Sequence, residues 1–380
     1  MSLKSLLATS DDQDVLVSAA ESLLREQVGP LLEMNADEWG YPWAVWQILR
    51  ENGVVCFPFP LEHGGLSGSM VSHCLIASEV ARYSANVAMI LVCNQLAAVP
   101  LLSEGSPGQK EKVLPDIIAG RSLATFAIME LEPEPGGLRT SARKDEGEYI
   151  LNGAKQLVTN AEGARWLVIF AKELPTSVPG STSAFLVEQG TPGLSILKRE
   201  GEIGYHGFST SGLVLEECRV PESNRIGQAG EGVNLQTQIT NFSRPLLAAL
   251  AVGLCQGTLD TAVLHAREHK QFGKRVAESE SARLKLADMA IAVEAARGLM
   301  VRAAAAFDQR SSEMTKLGAA AKCFATDTAM RLTIDCAQML GEAGYLHRFP
   351  LERRIRQAKL LQIFEGGNES QRLTVSRALL

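Results

Sequence analysis

A chain of 380 residues, 46% hydrophobic and 21% charged, is too long for one core and has the composition of a soluble globular protein of two or three domains. Its formal net charge of −6 gives no reason to expect nucleic acid as a partner. The cysteines, Cys56, Cys74, Cys93, Cys218, Cys255, Cys323 and Cys336, are scattered, odd in number and free of any CxxC pair. That pattern points to reduced thiols in a cytoplasmic compartment, mostly in the core, and away from a disulfide or zinc framework.

The opening MSLKSLLATSDDQD carries acids early and lacks the long apolar region of a signal segment. Ser10-Asp11-Asp12-Gln13 has the form of a capping box, and Val15, Leu16, Ala19, Leu23 and Leu24 recur behind it at helical spacing. Trp43, Trp46, Ile48 and Leu49 follow Pro42, and Gly53 stops them. A Gly-rich turn over Leu61 to Gly68 leads into an apolar helical run from Met70 to Ala98, punctuated by Pro100, Gly105, Pro107 and Gly108. A last helix spans about Gln109 to Ala119, so residues 1–124 read as a helical domain. The period then becomes alternating. Ala124 to Met129, Glu148 to Leu151, Trp166 to Ala171, Ser183 to Val187 and Leu213 to Leu215 are short strands between turn clusters, with Asn152-Gly153 as a hairpin turn. Residues 125–232 are a small β-barrel or sandwich domain.

Helical periodicity returns from Val233. Leu286, Met289, Ala290, Val293 and Met300 share one face, and the Ala- and Gly-rich stretches Leu246 to Gly257 and Gly318 to Ala329 suit close helix packing. Residues 233–380 read as a four-helix bundle, which makes the whole α+β, mainly α. The longest apolar run near a helix, Pro245 to Cys255, is about half of a bilayer span, so no membrane is expected. Glu365 lies near the end, between apolar Leu360, Leu361, Ile363 and Phe364 and the turn glycines Gly366 and Gly367. A carboxylate so placed either faces a dry pocket, where desolvation makes it a useful base, or is an ordinary solvated turn residue.

The segment FEGGNES around Glu365 resembles the C-terminal signature of the acyl-CoA dehydrogenase family. KQFGKRV at 270–276, EECRVPESNRIGQAGEG at 216–232, ILNGAKQLVTN at 150–160 and GQKEKVLPDIIAGR at 108–121 match the same family in its order and spacing. The resemblance implies a flavoprotein whose glutamate, here Glu365, takes the α-proton of an acyl thioester while FAD takes the β-hydride. It also implies that the glutamate's own backbone N–H polarises the thioester carbonyl, one well-aimed donor being worth roughly 3–4 kcal/mol. Some members carry the base before the arginine of another helix; here that pair is Ser243-Arg244, and serine cannot be the base. Arg244 is then a substrate-side residue. Thr159 matches the threonine that reaches the flavin ring, and Gln271 and Phe272 match a loop contacting a neighbouring subunit's FAD. Gln338 and His269 fall at positions near the diphosphate, and Gly366 and Gly367 complete the turn. The partners implied are acyl-CoA or an acyl carrier protein thioester, an electron-transfer flavoprotein or another electron acceptor, and three further copies in a homotetramer.

The sequence departs from the family pattern at several positions. Met129 stands where the family has threonine, the following Gly-Ser-Asp is missing from MELEPEPGG, and Leu157 replaces a tryptophan. His269 replaces an arginine and Glu342 a glycine, changes that weaken a diphosphate site; Gln357 and Gly367 replace aspartate and threonine. Competing motifs are weaker. His265 and His269 lack the glutamate and the third ligand of a zinc helix. Glu130, Glu132 and Glu134, held extended by Pro133 and Pro135, read as a solvated acidic loop. Arg348, Arg353, Arg354 and Arg356 fit a phosphate or a helix surface equally well. No Gly-rich loop has Walker or Rossmann form. Beside the coenzyme A enzyme stand two alternatives, an acyl-carrier-protein-linked dehydrogenase and a flavin-poor subunit that keeps the fold.

Overall fold

A computed structural model describes residues 12–34, 41–131, 137–175, 181–197, 210–271, 273–346 and 350–380. The first helix, α1 (Gln13–Leu23), is capped by Asp12, whose carboxylate accepts from the Asp14 and Val15 amides at 3.0 and 3.3 Å. Ser10 and Asp11, expected in that cap, lie outside the described residues. A π turn leads to α2 (Gly29–Met34), and α3 (Trp43–Glu51) follows. The run from Met70 forms two helices, α4 (Met70–Tyr83) and α5 (Ala85–Glu104), because Ser84 is extended and caps α5 through the Val87 amide. Pro100, expected to punctuate the run, lies buried inside α5. Packing on all sides outweighs its one missing amide. The helix α6 (Pro107–Ile118) opens on a reciprocal capping box of Ser106 and Gln109.

Eight strands follow: β1 (Leu123–Ala127), β2 (Ser141–Asp145), β3 (Glu148–Thr159), β4 (Ala164–Leu174), β5 (Thr182–Glu188), β6 (Leu194–Ile196), β7 (Thr210–Pro221) and β8 (Arg225–Ile226). They pair in the order β6-β7-β3-β2-β4-β5-β8, with β1 parallel to β4. In β4, Trp166, Val168 and Phe170 join the core shared with the helices, while Leu167, Ile169 and Ala171 join a second core inside the sheet. One strand thus walls two cores, which is why it reads as a continuous apolar run.

Asn152-Gly153 is not the hairpin turn. The chain reverses at Glu146 and Gly147, both at positive φ, and Asn152-Gly153 forms a bulge within β3. Gly153 sits at φ +145°, and a Cβ there would come within 2.7 Å of Thr140. Asn152 mends the bulge by donating to Glu217 Oε1 and accepting from the Glu217 amide, both at 2.8 Å.

The C-terminal part holds three long helices, α7 (Gly232–Glu268), α8 (Glu280–Asp308) and α9 (Met314–Leu340), and two shorter ones, α10 (Leu351–Ile363) and α11 (Asn368–Arg377). A two-stranded ribbon, β9 (Lys270–Gln271) with β10 (Lys274–Arg275), links α7 to α8. Asp308, at the end of α8, accepts from the Met70 and Val71 amides at 2.7 and 3.2 Å and so ties the bundle to the start of α4. Two helices, α5 and α7, are long and apolar enough to cross a bilayer, which corrects the reading that no run exceeds half a span. Their apolar windows are 94% and 78% buried, so the protein's own core covers that surface.

Candidate active site

Glu365 occupies the turn between α10 and α11, at φ +52° with Gly366 behind it at +86°. A side chain in the left-handed region costs about 1–2 kcal/mol, and this one is held from two directions. Gln371 Nε2, on α11, donates to the carbonyls of Glu365 and Gly366 at 3.3 and 3.0 Å. Lys322, on α9, donates to the carbonyls of Gln362 and Gly366 at 3.1 and 3.0 Å and to Asn368 Oδ1 at 2.9 Å. Among the described residues no acceptor takes the Glu365 backbone N–H.

Burial pushes the Glu365 carboxyl up to about 7, against the opposing pull of Lys322, Arg244 and the Ser243 hydroxyl. Arg244, on α7, is itself buried and donates from Nε to Gln371 Oε1 at 2.9 Å and from Nη1 to Asn241 Oδ1 at 3.3 Å. Burial lowers its pKa and Glu365 raises it. Gly318 lets α9 approach: a Cβ there would meet the Arg244 Cβ at 3.2 Å. From α5 comes Cys93, whose thiol is pushed far up by burial and then by the charge of Glu365, and which lies beside Thr159. Thr159 ends β3; its Oγ1 is buried close to the Cys93 thiol, but the geometry makes no hydrogen bond there or with any other described residue. The chain therefore brings Glu365 and Arg244 together, with Gly366 and Gly367 in the same turn, and places Cys93 near both Glu365 and Thr159.

Other expected residues lie elsewhere. His269 is exposed at the end of α7 with its ring stacked on His265, centroids 4.5 Å apart. Gln271 is exposed on the ribbon, Gln338 is exposed on α9, and Glu342 is exposed beyond it. Phe272, Glu132, Glu134 and Arg348 lie outside the described residues. Glu130 is no solvated acid: its side chain is 4% exposed against a fully buried Lys155 at 2.7 Å, and Thr140 donates to it as well. Arg354 is turned inward, donating to the Gly257 carbonyl at 2.6 Å and Thr261 Oγ1 at 2.7 Å, while Arg356 bonds Glu352 at 2.8 Å. Gln357 is buried and donates to Asn86 Oδ1 at 2.7 Å.

Two features of the site fit a flavin. The orphaned Thr159 hydroxyl asks for a polar partner. Met129 and Leu157, 58% and 63% exposed, are neighbours across the Gln156 amide to Met129 carbonyl bond of 2.9 Å, and offer apolar surface for an aromatic ring to cover. Lys322, Asn368 and Gln371, which hold the turn, went unnoticed in the sequence. A lysine in an Ala-rich helix reads as a surface residue, and only the Asn-x-x-Gln spacing after the glycines hinted at amides that tie the turn to α9 and to its own carbonyls.

Comparison with known proteins gives three family matches: acyl-CoA dehydrogenase N-terminal domain over residues 10–121, middle domain over 134–218 and C-terminal domain over 230–380. The chain is 36% identical over 375 residues to cyclohexane-1-carbonyl-CoA dehydrogenase of Geobacter metallireducens, covering 98% of each. The structure of butyryl-CoA dehydrogenase from Megasphaera elsdenii superposes with a TM-score of 0.92 at 31% identity, over 97% of this chain and 98% of that one. That of the prolyl acyl carrier protein oxidase AnaB superposes with a TM-score of 0.89 at 27% identity, over 98% and 100%.

Proposed function

The chain belongs to the acyl-CoA dehydrogenase family of FAD-dependent oxidoreductases, and from that premise we propose that it desaturates an acyl-CoA thioester between its α and β carbons with Glu365 as the base. The observation that carries this reading is the buried Glu365 carboxyl, raised to about 7 and faced by Lys322, Arg244 and Ser243, with Cys93 near both it and Thr159. A base with its pKa near ambient pH is available in its ionised form and strong enough to take a proton from carbon. The same dry surroundings that make its charge costly favour the neutral acid formed when the proton arrives.

The α-C–H becomes acidic only if the thioester carbonyl is hydrogen-bonded as charge develops on it, and the N–H of Glu365, without an acceptor among the described residues, is a donor on the same turn as the base. Arg244 and Lys322 keep the carboxylate from being extinguished by its own burial. Thr159 would hold the flavin ring through its hydroxyl, with Met129 and Leu157 against it. When bound, FAD supplies the acceptor for the β-hydride. His269, Gln271 and Gln338 remain residues proposed toward the diphosphate, and the exposed ribbon carrying Gln271 is proposed to reach a neighbouring subunit. A homotetramer is supported by the apolar side chains that α8, α9 and α11 expose, among them Ile291, Phe324 and Leu373. An electron-transfer flavoprotein is proposed as the electron acceptor, and the cytoplasm as the compartment, since every described cysteine is free.

The test is Glu365→Gln, which should keep the fold and the flavin and lose turnover of acyl-CoA; turnover that persists would mean that another group is the base. A second reading replaces coenzyme A by an acyl carrier protein. The similarity to AnaB and the departures around Met129 favour it, and turnover with only one of the two carriers separates the readings.

A further inference from the structure

Lys322 is wholly buried in the first third of α9, yet no carboxylate among the described residues lies within ion-pair distance of it. Its ammonium donates instead to three neutral acceptors, the carbonyls of Gln362 and Gly366 and the Asn368 side chain, at 3.1, 3.0 and 2.9 Å. Those acceptors straddle Glu365, three residues before it, one after it and three after it. The anchor extends outward. Asn368 Nδ2 donates to Thr326 Oγ1 at 2.9 Å and to Asp327 Oδ1 at 2.7 Å, and Gln362 Nε2 donates to Asp327 Oδ1 at 2.6 Å.

A buried ammonium without a paired anion is a poor way to stabilise a core, since its desolvation exceeds what neutral acceptors return. Burial accordingly lowers the Lys322 pKa to about 8. A neutral donor could hold one or two of these acceptors; only a cation also faces the carboxylate next door. We infer that Lys322 is a positioning residue for Glu365: its ammonium pins both flanks of the turn and supplies the buried positive charge against which the carboxylate ionises. The catalytic consequence rests on the reading of Glu365 as the base; the electrostatic coupling does not. The groups facing Glu365 are Lys322 from α9, Arg244 and Ser243 from α7 and Cys93 from α5. Those facing Lys322 are Cys323 and Asp327 of α9, Glu365, and Glu369 of α11, with Arg372 pairing Asp327 at 2.6 Å.

The experiment titrates the Glu365 carboxyl directly, by the infrared carboxyl difference between each protein and its Glu365→Gln form, in the parent chain and in Lys322→Gln, Lys322→Met and Lys322→Arg. Lys322→Gln keeps a donor without charge, Lys322→Met keeps neither, and Lys322→Arg keeps both. The midpoint, near 7 in the parent, should rise by about one unit or more in the Gln and Met forms and stay in the Arg form. The acidic limb of kcat/KM should move with it. An unmoved midpoint in folded Lys322→Gln overturns the inference. So does loss of the folded state, by circular dichroism, in both neutral variants, because Lys322 would then serve the core and not the carboxylate. Retained turnover in Glu365→Gln would overturn the base assignment alone, leaving the infrared result to decide on Lys322.

Discussion

A glutamate at φ +52° with a carboxyl raised to about 7 weakens the fold at its own position, and the weakness has a pH signature. Below about 4.5, the ordinary value of the group, folded and unfolded chains both carry the proton. Between there and about 7 the unfolded chain releases it while the folded chain retains it, so stability falls as pH rises; above 7 the difference is constant. Glu365→Gln lacks this penalty. It should match the parent at pH 4 and exceed it at pH 8 by about 1–3 kcal/mol, read from urea unfolding at the two pH values. Equal stability at pH 8 would mean that the carboxyl is not desolvated. The position of Glu365 was legible because a turn with two glycines behind an apolar run is a local pattern. Its supports were not: Lys322 and Arg244 come from helices about 40 and 120 positions away in the chain, and a buried cation has no local signature. Glu130 misled for the same reason, since the lysine that draws it inward lies on β3, 25 positions further along the chain.

At the scale of elements, close approach of helices explains what composition only suggested. In α7, Gly253 and Gly257 are one turn apart, and a Cβ on them would lie 2.1 Å from the Ser78 carbonyl oxygen and 2.4 Å from that of Arg82, both on α4. The two backbones touch where the glycines are, so the Ala- and Gly-rich stretch was a sound sign of tight packing. Gly253→Ala must push α4 and α7 apart and should cost about 1–3 kcal/mol in denaturant unfolding. Gly298→Ala on α8, where a Cβ meets nothing within 4 Å, should be neutral or stabilise by up to about 1 kcal/mol. Equal effects at the two positions would rule out the backbone contact. The period of the strands was also legible, but the bulge was not. Asn-Gly favours left-handed backbone in a turn or in a bulge alike, and only the pairing of β3 with two neighbours decides between them.

For the molecule as a whole, the site lies across the boundary between its parts. Thr159 belongs to the sheet, Cys93 to the first helical part, and Arg244, Lys322 and Glu365 to the last. A flavin held against Thr159 on one side and near Glu365 on the other would add a further link between segments that already meet along β4 and where α4 packs on α7. Removing FAD should lower the melting temperature, and restoring it at 100 times its Kd should return about 2.7 kcal/mol by mass action. Thr159→Val separates this from simple packing. The hydroxyl is buried with no hydrogen bond to another described residue, so in the protein without flavin replacing it by a methyl of the same shape should leave stability unchanged or raise it. In the loaded protein the same change removes a hydrogen bond to the ring, so the stabilisation gained from a fixed FAD concentration should shrink by about 1 kcal/mol. Opposite effects in the two forms, measured by thermal melting with and without FAD, are expected only if the orphaned hydroxyl is a cofactor contact. A parallel loss in both forms would make Thr159 an ordinary strand residue and move the flavin away from the end of β3.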